Sequence, residues 1–275
     1  MTYPSPESLR LSPEEIARNV TGVLAKISRE RLNDYHNYPL ELAPVKSVAN
    51  GAFKKALETP ELAIIAEIKR ASPSQGAIAD LDPLEAARAY QAGGAAALSI
   101  LTEERHFGGR LSYLSEVAEE VDLPCLRKDF IVHPQQITEA AQAGASCVLL
   151  IVAVLQEKLA HFLGVARACK LDALVEVHDH AEMDIALATD ADIIGVNNRD
   201  LRSLSIDLAN APKLIAYARK QGYTGLCVAE SGYSQASELK AIRASADAVL
   251  IGTSLAGSGD LKTSLQKLHA QLSES

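Results

Sequence analysis

From residue 62 onward, short apolar runs alternate with longer amphipathic stretches. The apolar runs are LAIIAEIK (62–69), AALSILT (96–102), PCLRK (124–128), SCVLLIV (146–152), ALVEV (173–177), DIIGVN (192–197), LCVAE (226–230) and DAVLIG (247–252). Each has strand length and is rich in aliphatic residues. Between them, PLEAARAYQAG (83–93), LQEKLAHFLGVARACK (155–170) and SQASELKAIRAS (234–245) carry helical patterns. Strand–helix alternation implies βαβ units around a parallel sheet. Eight repeats predict an α/β fold closed into a single (β/α)8 TIM barrel, which typically takes about 250 residues.

The punctuation agrees. Ala92-Gly93-Gly94-Ala95, Ala143-Gly144-Ala145, Ala188-Thr189-Asp190-Ala191 and Ala244-Ser245-Ala246-Asp247 each precede an apolar run. Small residues there end a helix and turn the chain into the next strand. An Ala-rich chain could also produce this repeat by chance. Residues 1–61 read as an N-terminal helical extension and 62–275 as the catalytic barrel. Ser12 followed by Pro13 and Glu15 has the form of a helix start. A helical pattern continues to about Asn33, and a second helix is expected over 45–57. The extension is expected either to cover the barrel bottom or to reach the active-site rim.

Composition narrows the function. The chain has 275 residues, 48% of them hydrophobic but only 4% aromatic, with no Trp, so the core rests on Ala, Leu, Ile and Val. A net charge of −8 argues against a nucleic-acid surface, but a few placed cations can still bind a small anion. Cys125, Cys147, Cys169 and Cys227 are far apart and form no CxxC pair, as in a reduced cytoplasmic protein. No apolar run is long enough for a bilayer span, and the opening residues lack a signal-peptide core. No membrane partner is expected.

Charged residues fall where a barrel core should be apolar. Glu67 and Lys69, two apart, point to one face of the first strand; helices outside would turn that face inward. An internal salt bridge is the plain alternative, but buried ion pairs are poor stability devices. The other strands end in Arg127-Lys128-Asp129-Phe130, in Glu176, in Asn197-Asn198-Arg199-Asp200 and in Glu230-Ser231-Gly232. Barrel enzymes place their catalytic groups at these C-terminal strand ends. Ser231-Gly232 follows the seventh strand and Gly252-Thr253-Ser254 the eighth, where this fold commonly binds phosphate; each alone could be a plain turn. Glu176, His178 and His180 imitate a metal site, but His180 and Glu182 fit the next helix with Asp179 as its cap, and no further ligand follows. The stretch 257–260 lacks a Walker lysine, and no GxGxxG follows the first strand. No metal and no cofactor are expected.

The stretch IAEIKRASPS (65–74) resembles the first-strand signature of the indole-3-glycerol-phosphate synthases. So do LSILTE (98–103) with Phe107 and Gly109, KDFI (128–131), IGVNNRDL (194–201) and ESG (230–232). The resemblance runs from about Val23 almost to the end. With no isomerase domain following, the chain resembles the stand-alone form.

The resemblance implies ring closure of 1-(2-carboxyphenylamino)-1-deoxyribulose 5-phosphate to indole-3-glycerol phosphate, with loss of carbon dioxide and water, in tryptophan synthesis. It implies Lys128 as general acid, Lys69 on the substrate carboxylate and as a second acid, and Glu176 in acid–base chemistry. Glu67, Asn197 and Glu230 would hold the lysines and sugar hydroxyls. Ser72, Ser231, Gly232, Gly252 and Thr253 would surround the phosphate, Phe107, Phe130 and Leu250 the aromatic ring, and Arg199 would stand at the rim. Gln75, where many relatives carry Lys, Gly109-Arg110 and the residues before Thr21 depart from the family pattern. Weak association with other enzymes of the pathway is a further expectation. The competing readings are another phosphosugar barrel enzyme and a non-catalytic metabolite-binding barrel.

Overall fold

All eight apolar runs form strands in the computed structural model, which describes residues 10–36, 51–72, 76–77, 81–200, 204–256 and 260–273. The strands are β1 (Ala63–Ile68), β2 (Ala97–Leu101), β3 (Cys125–Lys128), β4 (Cys147–Ile151), β5 (Asp172–Val177), β6 (Ile193–Asn197), β7 (Leu226–Glu230) and β8 (Ala248–Ile251). They close into one parallel barrel in sequence order, with β8 returning to β1. The register sets Glu67 level with Ser99, Leu101 with Lys128, Ile151 with Glu176, and Asn197 with Glu230. Both faces of the sheet are covered, which explains why the runs read as nearly continuous apolar sequence.

The connections use the expected signals. The helix Pro83–Gly93 starts at Asp82, whose side chain accepts from the backbone N–H groups of Leu84 and Glu85, and it stops at Gly94, where φ is +92°. Only glycine adopts such a φ readily, so the chain can turn at once into β2. The helix His180–Leu187 is capped by Asp179, which accepts from the Glu182 N–H. The repeat of small residues before strands therefore marks real helix ends.

The extension is more broken than its pattern implies. Helix α1 (Pro13–Asn19) has the expected Ser12 cap, completed by Glu15 as a capping box. It does not continue to Asn33. Val20 and Thr21 are extended, and a second helix, α2, runs over Gly22–Asp34. Two β-branched residues in succession disfavour the helical conformation, and Gly22, at φ +63°, tolerates the sharp re-entry. Because of this break, α1 hangs on the short helix Val152–Leu155 that follows β4, where Asn19 Nδ2 donates to the Val154 carbonyl, while α2 crosses the barrel mouth. A third helix, α3 (Ala52–Leu57), covers the opposite end. Its Lys54 N–H donates to Asp172 at the start of β5, and Phe53 is fully buried. The rest of the expected second helix, 45–50, lies outside the described residues. The extension thus serves both the rim and the bottom.

Since Phe53 fills the bottom of the barrel with no exposed surface, Phe53→Ala should destabilise the protein by about 3–5 kcal/mol. Urea unfolding checks this; a loss below about 1 kcal/mol would mean that α3 is not part of the core.

Candidate active site

Six side chains expected from the strand ends meet in one cavity of about 350 Å³ at the C-terminal mouth: Glu67, Lys69, Lys128, Glu176, Asn197 and Glu230. Strand geometry brings them there, since each occupies an inward position at the end of its strand. They divide into two clusters. In the first, Lys128 Nζ lies 3.0 Å from Glu176 and 2.5 Å from Glu230. In the second, Lys69 Nζ lies 2.7 Å from Glu67.

The electrostatics of the first cluster follow from burial and proximity. Burial works to deprotonate Lys128, but the carboxylates of Glu176, Glu230 and Glu67 outweigh it and hold the ammonium charged. Burial also opposes ionisation of Glu176, yet Lys128, His178 and a hydrogen bond from Asn197 keep its carboxyl below the usual range. Glu230 goes the other way. Burial and the neighbouring Glu176 charge exceed the pull of Lys128 and push it up to about 7. Two close carboxylates cannot both ionise cheaply, so Glu176 holds its charge the more firmly and Glu230 is the first of the pair to take a proton.

Small residues make room for these groups. A Cβ at Gly195 would stand 2.2 Å from Glu230 Oε1, and one at Gly252 would stand 2.4 Å from Glu67 Oε1. Gly252 is therefore required by the Glu67–Lys69 pair, in addition to any role at a ligand.

The remaining expected residues gather around the same cavity. Phe107, Phe130 and Leu250 line it together with Arg199, Ser231, Gly232, Gly252 and Thr253. The two phenyl rings are tilted, with centroids 5.8 Å apart. Ser231 and Gly232 both have positive φ, +66° and +93°, and Ser254 Oγ donates to the Tyr233 carbonyl, tying the turn after β7 to the one after β8. Arg199 Nη1 is bound to the Leu204 carbonyl at the rim. The Ser72 side chain and residues 73–75, including Gln75, lie outside the described residues.

Two of the charged strand-end residues serve the scaffold. Arg127 is fully buried and donates to Thr102 Oγ1, the Gln136 carbonyl and Asp129. Asp129 accepts a fork of bonds from Arg31 of α2, at 3.0 and 2.7 Å, and also accepts from the Phe130 N–H. This network holds α2 against the end of β3, beside Lys128. Sequence reasoning missed the α2 contribution: Val23, Leu24 and Ile27 line the cavity. The spacing of Leu24 and Ile27 signals a buried helical stripe, but not what it covers. It also treated His178 only as a spurious metal ligand, whereas the ring lies 3.4 Å from Glu176.

The closed barrel, with paired lysines and carboxylates at its mouth beside two glycine turns, defines an enzyme architecture suited to a small, anionic metabolite. The family model described as indole-3-glycerol phosphate synthase matches residues 15–268. The chain belongs to the indole-3-glycerol phosphate synthase family. It is 51% identical to the indole-3-glycerol phosphate synthase of Deinococcus radiodurans, over 96% of this chain and 100% of that protein. The Chlorobium phaeobacteroides enzyme of that name is 46% identical over 88% of this chain and 92% of its own length. Among solved structures, the tryptophan synthase α subunit of Legionella pneumophila matches with a TM-score of 0.61 at 12% identity, covering 82% of this chain and 99% of that one. A Pyrococcus furiosus thiamine phosphate pyrophosphorylase matches with a TM-score of 0.55 at 17% identity, covering 78% and 96%. These two likenesses concern the fold alone. Among the described residues, no helix is long and apolar enough to cross a membrane.

Gly252→Ala should displace Glu67 and so disturb Lys69. The expected result is a fall in kcat of at least tenfold together with a higher KM, measured by steady-state kinetics. Unchanged kcat would show that Glu67 can move aside without consequence.

Proposed function

We propose that this chain converts 1-(2-carboxyphenylamino)-1-deoxyribulose 5-phosphate to indole-3-glycerol phosphate, carbon dioxide and water, through the cavity at the barrel mouth. The observation that carries the reading is the buried ammonium of Lys128, held charged between two carboxylates and facing a cavity with aromatic walls. Ring closure needs a proton donor at a ketone oxygen and a surrounding that tolerates a cationic intermediate; this mouth supplies both.

The steps follow from the charges. The ring carbon that bears the carboxylate attacks the ketone carbon, and a carbon–carbon bond forms. The carbonyl π electrons move to oxygen, which takes a proton from Lys128. The nitrogen now carries an iminium, stabilised by the anionic Glu176. Loss of carbon dioxide returns the electrons of the broken carbon–carbon bond to the ring system and neutralises the iminium. The new hydroxyl then takes a proton from Lys69 and leaves as water, and the adjacent methylene gives up a proton, for which Glu176 is the placed acceptor. The iminium acts as the electron sink, so the scheme needs no added cofactor.

Binding is assigned to the surrounding groups. Lys69, oriented by Glu67, receives the substrate carboxylate and serves as a second acid. Asn197 and Glu230 hold the sugar hydroxyls. The backbone at Ser231, Gly232, Gly252 and Thr253, with Ser72 nearby, receives the phosphate, because glycine permits close approach and turn N–H groups favour anions. Phe107, Phe130 and Leu250 receive the aromatic ring, and Arg199 guards the rim. Residues 1–61 form the extension and 62–275 the catalytic unit. A cytoplasmic setting and weak association with other enzymes of the pathway complete the proposal.

Lys128→Met retains length and apolar bulk but removes the proton donor. Turnover should fall by roughly 10²–10⁴-fold, while affinity for the product changes little. Fluorescence of the indole formed measures the first, and equilibrium titration with product the second. Equal losses of affinity and turnover would make Lys128 a binding residue. Glu176→Gln should also lower kcat by at least tenfold with the thermal melt retained; wild-type turnover would remove Glu176 from the chemistry.

A further inference from the structure

His178 follows β5 directly and does not line the cavity, yet it stands behind one of the groups that does. Its Nε2 lies 3.4 Å from Glu176 Oε1, on the side of that carboxylate opposite to its contact with Lys128, which is through Oε2. Its Nδ1 lies 3.0 Å from Glu182 Oε2, and its own backbone N–H donates to the same oxygen at 2.8 Å. Glu182 sits in the first turn of the helix His180–Leu187, anchored by Asp179. The backbone beyond the ring is also secured: Asn210 Nδ2 donates to the His178 carbonyl at 3.0 Å and to the Asn197 carbonyl at 3.3 Å. The result is a continuous line of charged groups, Glu182, His178, Glu176, Lys128 and Glu230, running from the barrel exterior into the cavity.

We propose that His178 is a positioning residue for the reaction: an imidazolium, anchored by Glu182, that holds Glu176 in its anionic form and fixes its second oxygen towards Lys128. The inference rests on the proposed role of Glu176 in ring closure.

The physical case begins with an otherwise symmetrical problem. Glu176 and Glu230 both contact Lys128, at 3.0 and 2.5 Å. Two buried carboxylates on one lysine resist being ionised together, so the pair takes up a proton more readily than either would alone. The lysine alone does not decide which carboxylate takes it. The second cation does: His178 lies 3.4 Å from Glu176, whereas among the described residues no second cation pairs with Glu230, whose Oε1 is buried with no hydrogen-bond partner. His178 is faced by three carboxylates on three elements: Glu176 on its own strand, Glu182 on the following helix and Glu230 on β7. Burial pulls its pKa down, but these carboxylates outweigh burial and raise it. With both ring nitrogens protonated, Nδ1 donates to Glu182, while Nε2, buried without a hydrogen-bond partner and 3.4 Å from Glu176 Oε1, acts on that carboxylate through its charge. The carboxylate that must stabilise a cationic intermediate is then the one kept anionic, and Glu230 is the first of the two to take a proton.

The sign of the pH effect follows. A neighbouring cation depresses the pKa of Glu176, so removing it raises that pKa. His178→Gln should move the acid limb of the kcat/KM profile to higher pH by about half a unit or more. It should also lower kcat by about 5- to 20-fold near neutrality, with KM within about twofold, since no substrate contact is lost. Glu182→Gln keeps an acceptor for both His178 N–H groups but removes the charge that holds the ring protonated. It should shift the acid limb in the same direction by a smaller amount. A purely structural role for His178 would lower the melting temperature and leave the pH profile in place, and that result overturns the proposal. Nitrogen NMR of the full-length protein offers a reading independent of turnover. The ring resonances absent from His178→Gln should report an imidazolium in the wild type at pH 7, and a neutral ring overturns the assignment even if both variants lose activity. Failure of the wild type to turn over the substrate would refute the proposed reaction and leave the NMR result to decide the state of His178.

Discussion

The site depends on one arrangement, a lysine ammonium buried between two carboxylates. Placing three ionisable groups in a barrel interior is costly, because each loses hydration that its partners only partly replace. Breaking the set would leave an uncompensated charge, so the groups around it are constrained in turn. Gly195 has no side chain because Glu230 occupies that space, and Gly252 has none because Glu67 does. Asn197 serves Glu176 from the neighbouring strand. The mouth of this barrel is shaped as much by what the charges exclude as by what they contact.

The extension belongs to this system. Arg31 reaches from α2 to Asp129, the residue after Lys128, by two hydrogen bonds in a buried setting. Asp34 on the same helix is paired with Arg105, and Glu30 with His106; both partners directly precede Phe107 in the short helix Glu104–Phe107 after β2. A helix outside the barrel repeat therefore braces the strand end that carries Lys128 and the segment that carries part of the aromatic wall. Its own apolar residues Val23, Leu24 and Ile27 complete that wall. Helix α3 acts separately, closing the far end around Phe53.

Much of the fold was legible because parallel strands covered on both sides leave long apolar runs, and because the turns between helix and strand need small residues. The gathering of charged strand ends at one mouth was legible for the complementary reason: a charge at the end of an apolar run is costly unless it has a use. Arg127 and Asp129 show the limit of that argument. They stand in the same strand-end sequence as Lys128, yet alternation turns Arg127 away from the cavity, and Asp129 is engaged by α2. The helix break at Val20-Thr21 was less legible, since two β-branched residues weaken a helix without marking where it stops.

The order of the strands, the closure of the barrel and the identity of the charged strand ends were all determined by the sequence, through local periodicity and the cost of burying charge. The pairing of those charges was decided only by the tertiary structure. Lys128, Glu176 and Glu230 are separated by dozens of residues along the chain, and which carboxylate shares the lysine depends on barrel register and on distances of about 3 Å. The same holds for α2, whose apolar stripe is visible along the chain while the cavity it covers is built by residues at least 40 positions further along. Periodicity records which face of an element is buried; only packing selects the surface that buries it.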